Sequence, residues 1–415
     1  MKHWKKVVAV LLALSVLFLF AACSSTKQAA GNEQQTPAPA AETGTESENT
    51  AAPIVIGHYS YLTGPSSLLG QSITNGVMIA VDKINEEGGI NGRKIEVVTY
   101  DSKADQETSK QVVTKLLNVD KVCAIIADAS SGDLKATFPM TEEAGIVQIG
   151  HGVSTALTNI GNRYTFRSTA SAKTINATMV DMMKDLNIKT LGALVVNSEY
   201  GENGLAVVKE CMEEAGSEVE IVATEYYAMA DVDYSAQIAK LISKNPDAIL
   251  LYSNTNEASI AIGQVRAQGY TGYVLGTEGC ASSEIRDVAG ADAEGLIFTA
   301  AYVIPDEIDD AINDVEKDFL NRYVDKHGEI IVSDTGYRSY DAACMLFEAM
   351  KKCEDPSDPE QIRNAFVTIK DYEGIGGTFD YTDESGDGLF VVRKFIVHDG
   401  KNMLLDDYIA QYGLK

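Results

Sequence analysis

Ile54-Val55-Ile56-Gly57-His58-Tyr59 is followed at 67–87 by a segment carrying Ile73, Val77, Ala80, Val81 and Ile84 at helical spacing. The first stretch is a continuous apolar run, as expected of a strand buried on both faces, and the second marks the core side of a helix. Further strands are expected at 94–99, 122–127 and 146–149, with helices at 107–117 and 134–144 between them. The pattern then starts again. A helix containing 179–186 leads to strands at 190–196, 219–224, 248–252 and 273–276, separated by helices at 204–215, 234–244 and 258–268. Two series of αβ units in similar order imply an α/β chain with two similar Rossmann-like lobes, each built on a mainly parallel sheet. Beyond the apolar 295–298, a long helix is expected at 307–327, others at 337–352 and 359–369, and a terminal hairpin pairing 377–380 with 389–398.

The amino end has a different composition. Lys2, Lys5 and Lys6 precede an apolar run at 7–20 that ends in Ala21-Ala22-Cys23, the layout of an export signal over 1–22 with a small-residue processing site. Residues 24–52 hold no aliphatic side chain larger than alanine and cannot offset the entropy of ordering, so a tether is expected there. Loss of the signal takes the formal charge from -26 to -29, which argues against nucleic acid and anionic lipid as partners and leaves small molecules or a protein dock.

The six cysteines form no C-x-x-C pair, so neither zinc nor dithiol chemistry is expected. The chain lacks the nucleotide-binding glycine motifs, H-E-x-x-H and G-x-S-x-G, and no enzyme activity or cofactor is expected. Asp383, Ser385 and Asp387 imitate half a calcium loop, but Lys394 stands where its final glutamate belongs, so no metal is expected.

In open αβ sheets, ligands sit beyond the carboxyl ends of strands, where loops meet the positive ends of helices. Polar loops fall there at 58–65, 128–133, 150–154, 197–201 and 276–279. Ser131 and Gly132 suit an anion, though Ser131 is equally suited to cap a helix. Glu278 suits a cation, an exposed loop carboxylate being the commoner case, while Tyr59, Tyr61, Tyr200 and Tyr337 suit an organic body, packing being the commoner role for any one of them.

The order of short motifs carries more information than any one of them. Leu62-Thr63-Gly64-Pro65, Gly88-Gly89-Ile90-Asn91-Gly92, Ser131-Gly132, Tyr200-Gly201, Gly276-Thr277-Glu278-Gly279, Ala293-Glu294-Gly295 and Tyr340-Asp341-Ala342 run from Ile54 onward. In this order the chain resembles the Leu/Ile/Val-binding family, the substrate-binding proteins of ABC importers for branched-chain amino acids and related solutes. The segment ending at Cys23 resembles a bacterial lipoprotein signal, which implies lipidation of Cys23 and anchoring to the membrane. Phe20 departs from the aliphatic residue usual at its position, and ordinary cleavage with soluble secretion stays open.

The resemblance implies a type I periplasmic binding fold crossed three times, near Arg167, Ile297 and Thr378. Lobe one is then 53–167 with 298–377, and lobe two 168–297 with 378–415. It also implies that Ser131 bonds the ligand carboxylate, that Glu278 meets the amino group and that Tyr200 lies beside the ligand, and Gly152, Val153 and Asn254 complete the expected ligand-binding set. Val153 stands where the family has a threonine touching both ends of the ligand; His151 or a water replaces that contact, or the cargo is not a standard α-amino acid. The implied role is hinge closure on a small polar or zwitterionic solute, branched-chain amino acids being the leading candidate, by a monomer that delivers it to ABC permease subunits. Use of the same module for sensing is the alternative.

Overall fold

The computed structural model describes residues 52–229 and 231–413. The export signal, Cys23 and most of the expected tether lie outside these residues.

The first sheet contains β1 (Ile54–Ser60), β2 (Ile95–Asp101), β3 (Ala124–Ile126), β4 (Val147–Gly150) and β5 (Thr165–Arg167), all parallel, in the order β2-β1-β3-β4-β5. Between them run α1 (Ser67–Glu86), α2 (Gln106–Lys115) and α3 (Ser131–Ala144). The second series has α4 (Ala172–Asp185), β6 (Thr190–Val196), α5 (Glu199–Glu214), β7 (Glu220–Tyr227) and α6 (Ser235–Ile242). It continues through β8 (Ala248–Tyr252), α7 (Thr255–Ala267), β9 (Tyr273–Gly276), α8 (Glu284–Ala289) and β10 (Leu296–Ala300). Its parallel strands run β7-β6-β8-β9-β10, the same winding as in the first sheet. In both sheets the order reverses beside the first strand of the series, and such a reversal opens a crevice at the strand ends.

The later segments complete these lobes. Helices α9 (Asp314–His327), α10 (Thr335–Lys351) and α11 (Pro359–Phe366) return to lobe one, where α10 packs along α1. The two helices approach closely: a Cβ at Gly76 would stand 2.1 Å from the Gly336 carbonyl, and Ser339 Oγ donates to the Ile73 carbonyl at 2.8 Å. The short pair β11 (Tyr372–Glu373) and β12 (Thr378–Phe379) follows, then β13 (Arg393–His398) and β14 (Lys401–Leu404) extend the second sheet antiparallel from β10, and α12 (Leu405–Tyr412) closes the described chain.

Three details differ from the sequence reading. The long helix begins only at Asp314, because Asn313 caps it by accepting from the Glu316 amide while 308–310 forms a separate 3-10 turn. The expected hairpin is reduced to one bridge, Phe379 to Leu389, and β13 pairs instead with β10 and β14. The chain also leaves the second sheet after Ala300, beyond Ile297, and re-enters it at Arg393, well beyond Thr378.

The crossings are tied together. Tyr302 Oη lies 2.8 Å from the Ser168 carbonyl and 3.0 Å from Asp341 Oδ2, and Asp341 also accepts from the Ile375 and Gly376 amides. Burial pushes the Asp341 carboxyl up to about 6, opposed by these bonds.

Candidate functional site

The loops after β1, β3 and β4 face those after β6, β8 and β9. With the start of α10 they enclose a cavity of about 350 Å3, near the lower end for small-molecule sites.

On the first wall, Asp128 fixes the turn into α3: Oδ1 accepts from the Ser130 amide at 3.1 Å and Oδ2 from the Ser102 hydroxyl at 2.9 Å. Ser130, not Ser131, caps the helix by accepting from the Asp133 amide at 3.2 Å. The alternative role considered for Ser131 thus belongs to its neighbour. Ser131 Oγ accepts from the Ser154 amide at 3.4 Å and lines the cavity with Gly132, at the positive end of α3 where an anion is favoured. Val153 lines it too, whereas Gly152 lies behind. The Gly152 carbonyl accepts from Arg167 Nη1 at 2.8 Å, and a Cβ at 152 would stand 3.0 Å from Ser131 Oγ.

On the second wall, Tyr200 leans on Tyr252 with ring centroids 4.9 Å apart, and its hydroxyl lies 2.8 Å from Thr277 Oγ1. Asn254 occupies the cap position of α7 without making a side-chain capping bond, and faces the cavity. Glu278 is only 6% exposed and its Oε2 has no hydrogen-bond partner. Burial raises its pKa above the usual glutamate value, with Arg338 opposing that rise.

The base of the cavity comes from α10 and the loop after β4. Arg338 Nε donates to Asp334 Oδ2 at 2.8 Å and Nη2 donates to the same oxygen, while Nη1 is 3.5 Å from the His151 carbonyl. His151 Nδ1 lies 2.7 Å from Ser168 Oγ, and Nε2 has no partner. Burial first, then Arg338 and His58, hold the His151 pKa down at about 3, so the ring is neutral. Arg338 is then the one cation among the described residues lining the cavity.

Seven of the ten expected binding residues therefore share this cavity: Tyr61, Ser131, Gly132, Val153, Tyr200, Asn254 and Glu278. Tyr59 and Tyr337 do not reach it. Tyr59 sits inside β1, accepts from Gln148 Nε2 at 2.8 Å and lies 2.8 Å from Thr137 Oγ1 in the core. Tyr337 packs edge-on against Phe319 with centroids 5.2 Å apart. Residues that the sequence reading missed are Asp334, Thr335 and Arg338; the four-residue spacing of Asp334 and Arg338 just before Tyr340-Asp341-Ala342 was the available signal.

The periplasmic binding protein family profile matches residues 53–396. The chain belongs to this family. The binding protein is 25% identical to the leucine-, isoleucine-, valine-, threonine- and alanine-binding protein of Pseudomonas aeruginosa, over 79% of this chain and 84% of that one. Its fold matches the leucine-binding protein LivK of Thermotoga maritima with a TM-score of 0.76 at 25% identity, covering 85% of this chain and 99% of that one. It also matches LivJ of Streptococcus pneumoniae, solved in complex with isoleucine, with a TM-score of 0.75 at 26% identity, covering 84% and 97%. Members of the family are solute-binding proteins that act outside the cytoplasm and are not enzymes. No helix of the described residues is long and apolar enough to cross a membrane, and the five cysteines among them are all unpaired.

The lobes of the binding protein also touch directly. Glu199 of α5 takes Lys135 Nζ of α3 at 2.7 Å and the Ser154 hydroxyl at 3.2 Å, while Asn203 Oδ1 accepts from the Thr155 amide at 3.0 Å. An exposed ion pair contributes about 0.2–1 kcal/mol. Glu199→Ala is therefore expected to weaken ligand binding by less than about fivefold and to reduce its salt dependence, as measured by calorimetry at low and high salt.

Proposed function

We propose that this chain is the extracytoplasmic solute-binding component of an ABC importer and captures a zwitterionic amino acid between its two lobes. One observation carries the reading: the Ser131 hydroxyl at the positive end of α3 and the buried Glu278 carboxylate line the same cavity. A carboxylate at the first and an ammonium at the second match a free α-amino acid, and Tyr200 supplies an aromatic flank. Closing of the lobes buries the solute, and the closed face is what a membrane permease then receives. Cys23, lipidated after removal of the signal, holds the protein at the membrane.

Mass spectrometry of small molecules released on denaturing the purified protein, followed by calorimetry against the amino acids, tests the capture step. The expected result is a saturable site for at least one free α-amino acid that is lost when the amino group is acetylated. Silence across the panel removes the reading.

A further inference from the structure

The head-group contacts leave the base of the cavity unexplained, and it is polar where an aliphatic side chain would need apolar walls. Arg338, 5% exposed, points two of its donor nitrogens at Asp334 Oδ2 and keeps Nη1 with only a long contact to the His151 carbonyl. His151 is fully buried on the same cavity with the Ala127 backbone near its ring, and its Nε2 makes no well-formed hydrogen bond, although nearly all buried polar atoms in folded proteins make one. Thr335 adds a hydroxyl-bearing side chain beside them.

We propose that Arg338 and His151 form a side-chain subsite that selects an amino acid ending in a neutral polar group, of the carboxamide class, over an aliphatic one. This rests on the zwitterion reading above. A carbonyl oxygen matches the available Nη1 donor, and the amide nitrogen or oxygen gives Nε2 the partner it lacks in either ring tautomer. The charge balance favours a neutral group. Asp334 already compensates Arg338, and Asp133, another carboxylate, also lines the cavity, so a ligand carboxylate would add repulsion without a new counter-charge. An aliphatic side chain would leave Arg338 Nη1 with only its long contact and His151 Nε2 without a bond, and sites built to bond a polar group reject analogues lacking it.

The test uses the purified full chain, freed of cargo by unfolding and refolding, in calorimetry with glutamine, asparagine, glutamate, leucine, isoleucine and valine. The carboxamides are expected to bind at least about tenfold more tightly than the other four. His151→Asn retains a short amide to meet Ser168 but cannot reach where Nε2 lies, and is expected to reduce the glutamine-to-leucine affinity ratio by about tenfold or more. The double variant Asp334→Asn/Arg338→Gln, which keeps a neutral pair in place of the ions, is expected to reduce the same ratio. Tighter binding of leucine, isoleucine, valine or glutamate than of either carboxamide overturns the subsite while leaving amino-acid capture intact. So does an equal loss of glutamine and leucine affinity in both variants. If none of the six binds, the zwitterion reading falls and this inference with it.

Discussion

Glu278→Gln is expected to weaken amino-acid binding by about 2–5 kcal/mol, at least about thirtyfold in Kd, with the fold intact. The substitution preserves shape and removes the charge, and the Glu278 Oε2 it alters has no hydrogen-bond partner within the protein. Its effect should therefore fall on the ligand's ammonium group and on Arg338, whose charge Glu278 offsets in the free protein. A pH signature accompanies it. Burial raises the Glu278 pKa in the free protein, whereas a bound ammonium favours the ionised carboxylate and lowers it. Binding then takes a proton off Glu278, so affinity is fully present above the raised value and falls as pH drops through it. The Gln variant should lack this dependence on its weaker baseline. Calorimetry across pH 4 to 8 measures both effects, and an unchanged Kd at neutral pH would remove Glu278 from the site.

The second large effect is expected behind the cavity wall. Arg167, 1% exposed at the end of β5, donates to Asp387 Oδ1 and the Gly152 carbonyl, each at 2.8 Å, and to the Ser154 carbonyl at 2.9 Å. It thus binds the loop below Ser131 to the segment that precedes the last crossing. Arg167→Met should cost about 3–5 kcal/mol in denaturant unfolding, because it leaves a largely buried carboxylate without its counter-charge and takes donors from the Gly152 and Ser154 carbonyls. Adding Asp387→Asn should recover part of that loss, since the residual charge is then removed. Near-wild-type stability of the single variant would show that the ion pair contributes little.

Much of this architecture was legible because strands buried on both faces are near-continuous apolar runs, and 54–57, 191–196 and 248–252 are, with the polar His58 bonded internally to the Ile126 carbonyl and Thr74. The loops followed from the strand ends, and Ser131 and Glu278, read from two of those loops, both line the cavity. What failed was the facing of single side chains. Tyr59 lies within β1 and is carried into the helix-covered core, while Tyr61, just past the strand, reaches the cavity. On α10, neighbouring Tyr337 and Arg338 point about 100° apart, one toward Phe319 and one toward the cavity. A lone arginine in a helical pattern reads as solvent-facing. Its burial depends on Asp334 and on loops distant in sequence, which local periodicity does not encode.

The contact between α1 and α10 has a consequence for how this chain is made. Helix α10 lies more than two hundred residues downstream of α1, so a ribosome releases α4 to β10 of the second lobe before the first can finish its core. Until then the faces of β3 and β4 that α10 packs against lack that cover and are open to aggregation. Such delayed completion is compatible with a family that acts outside the cytoplasm, whose chains leave the ribosome on the other side of the membrane from where they work.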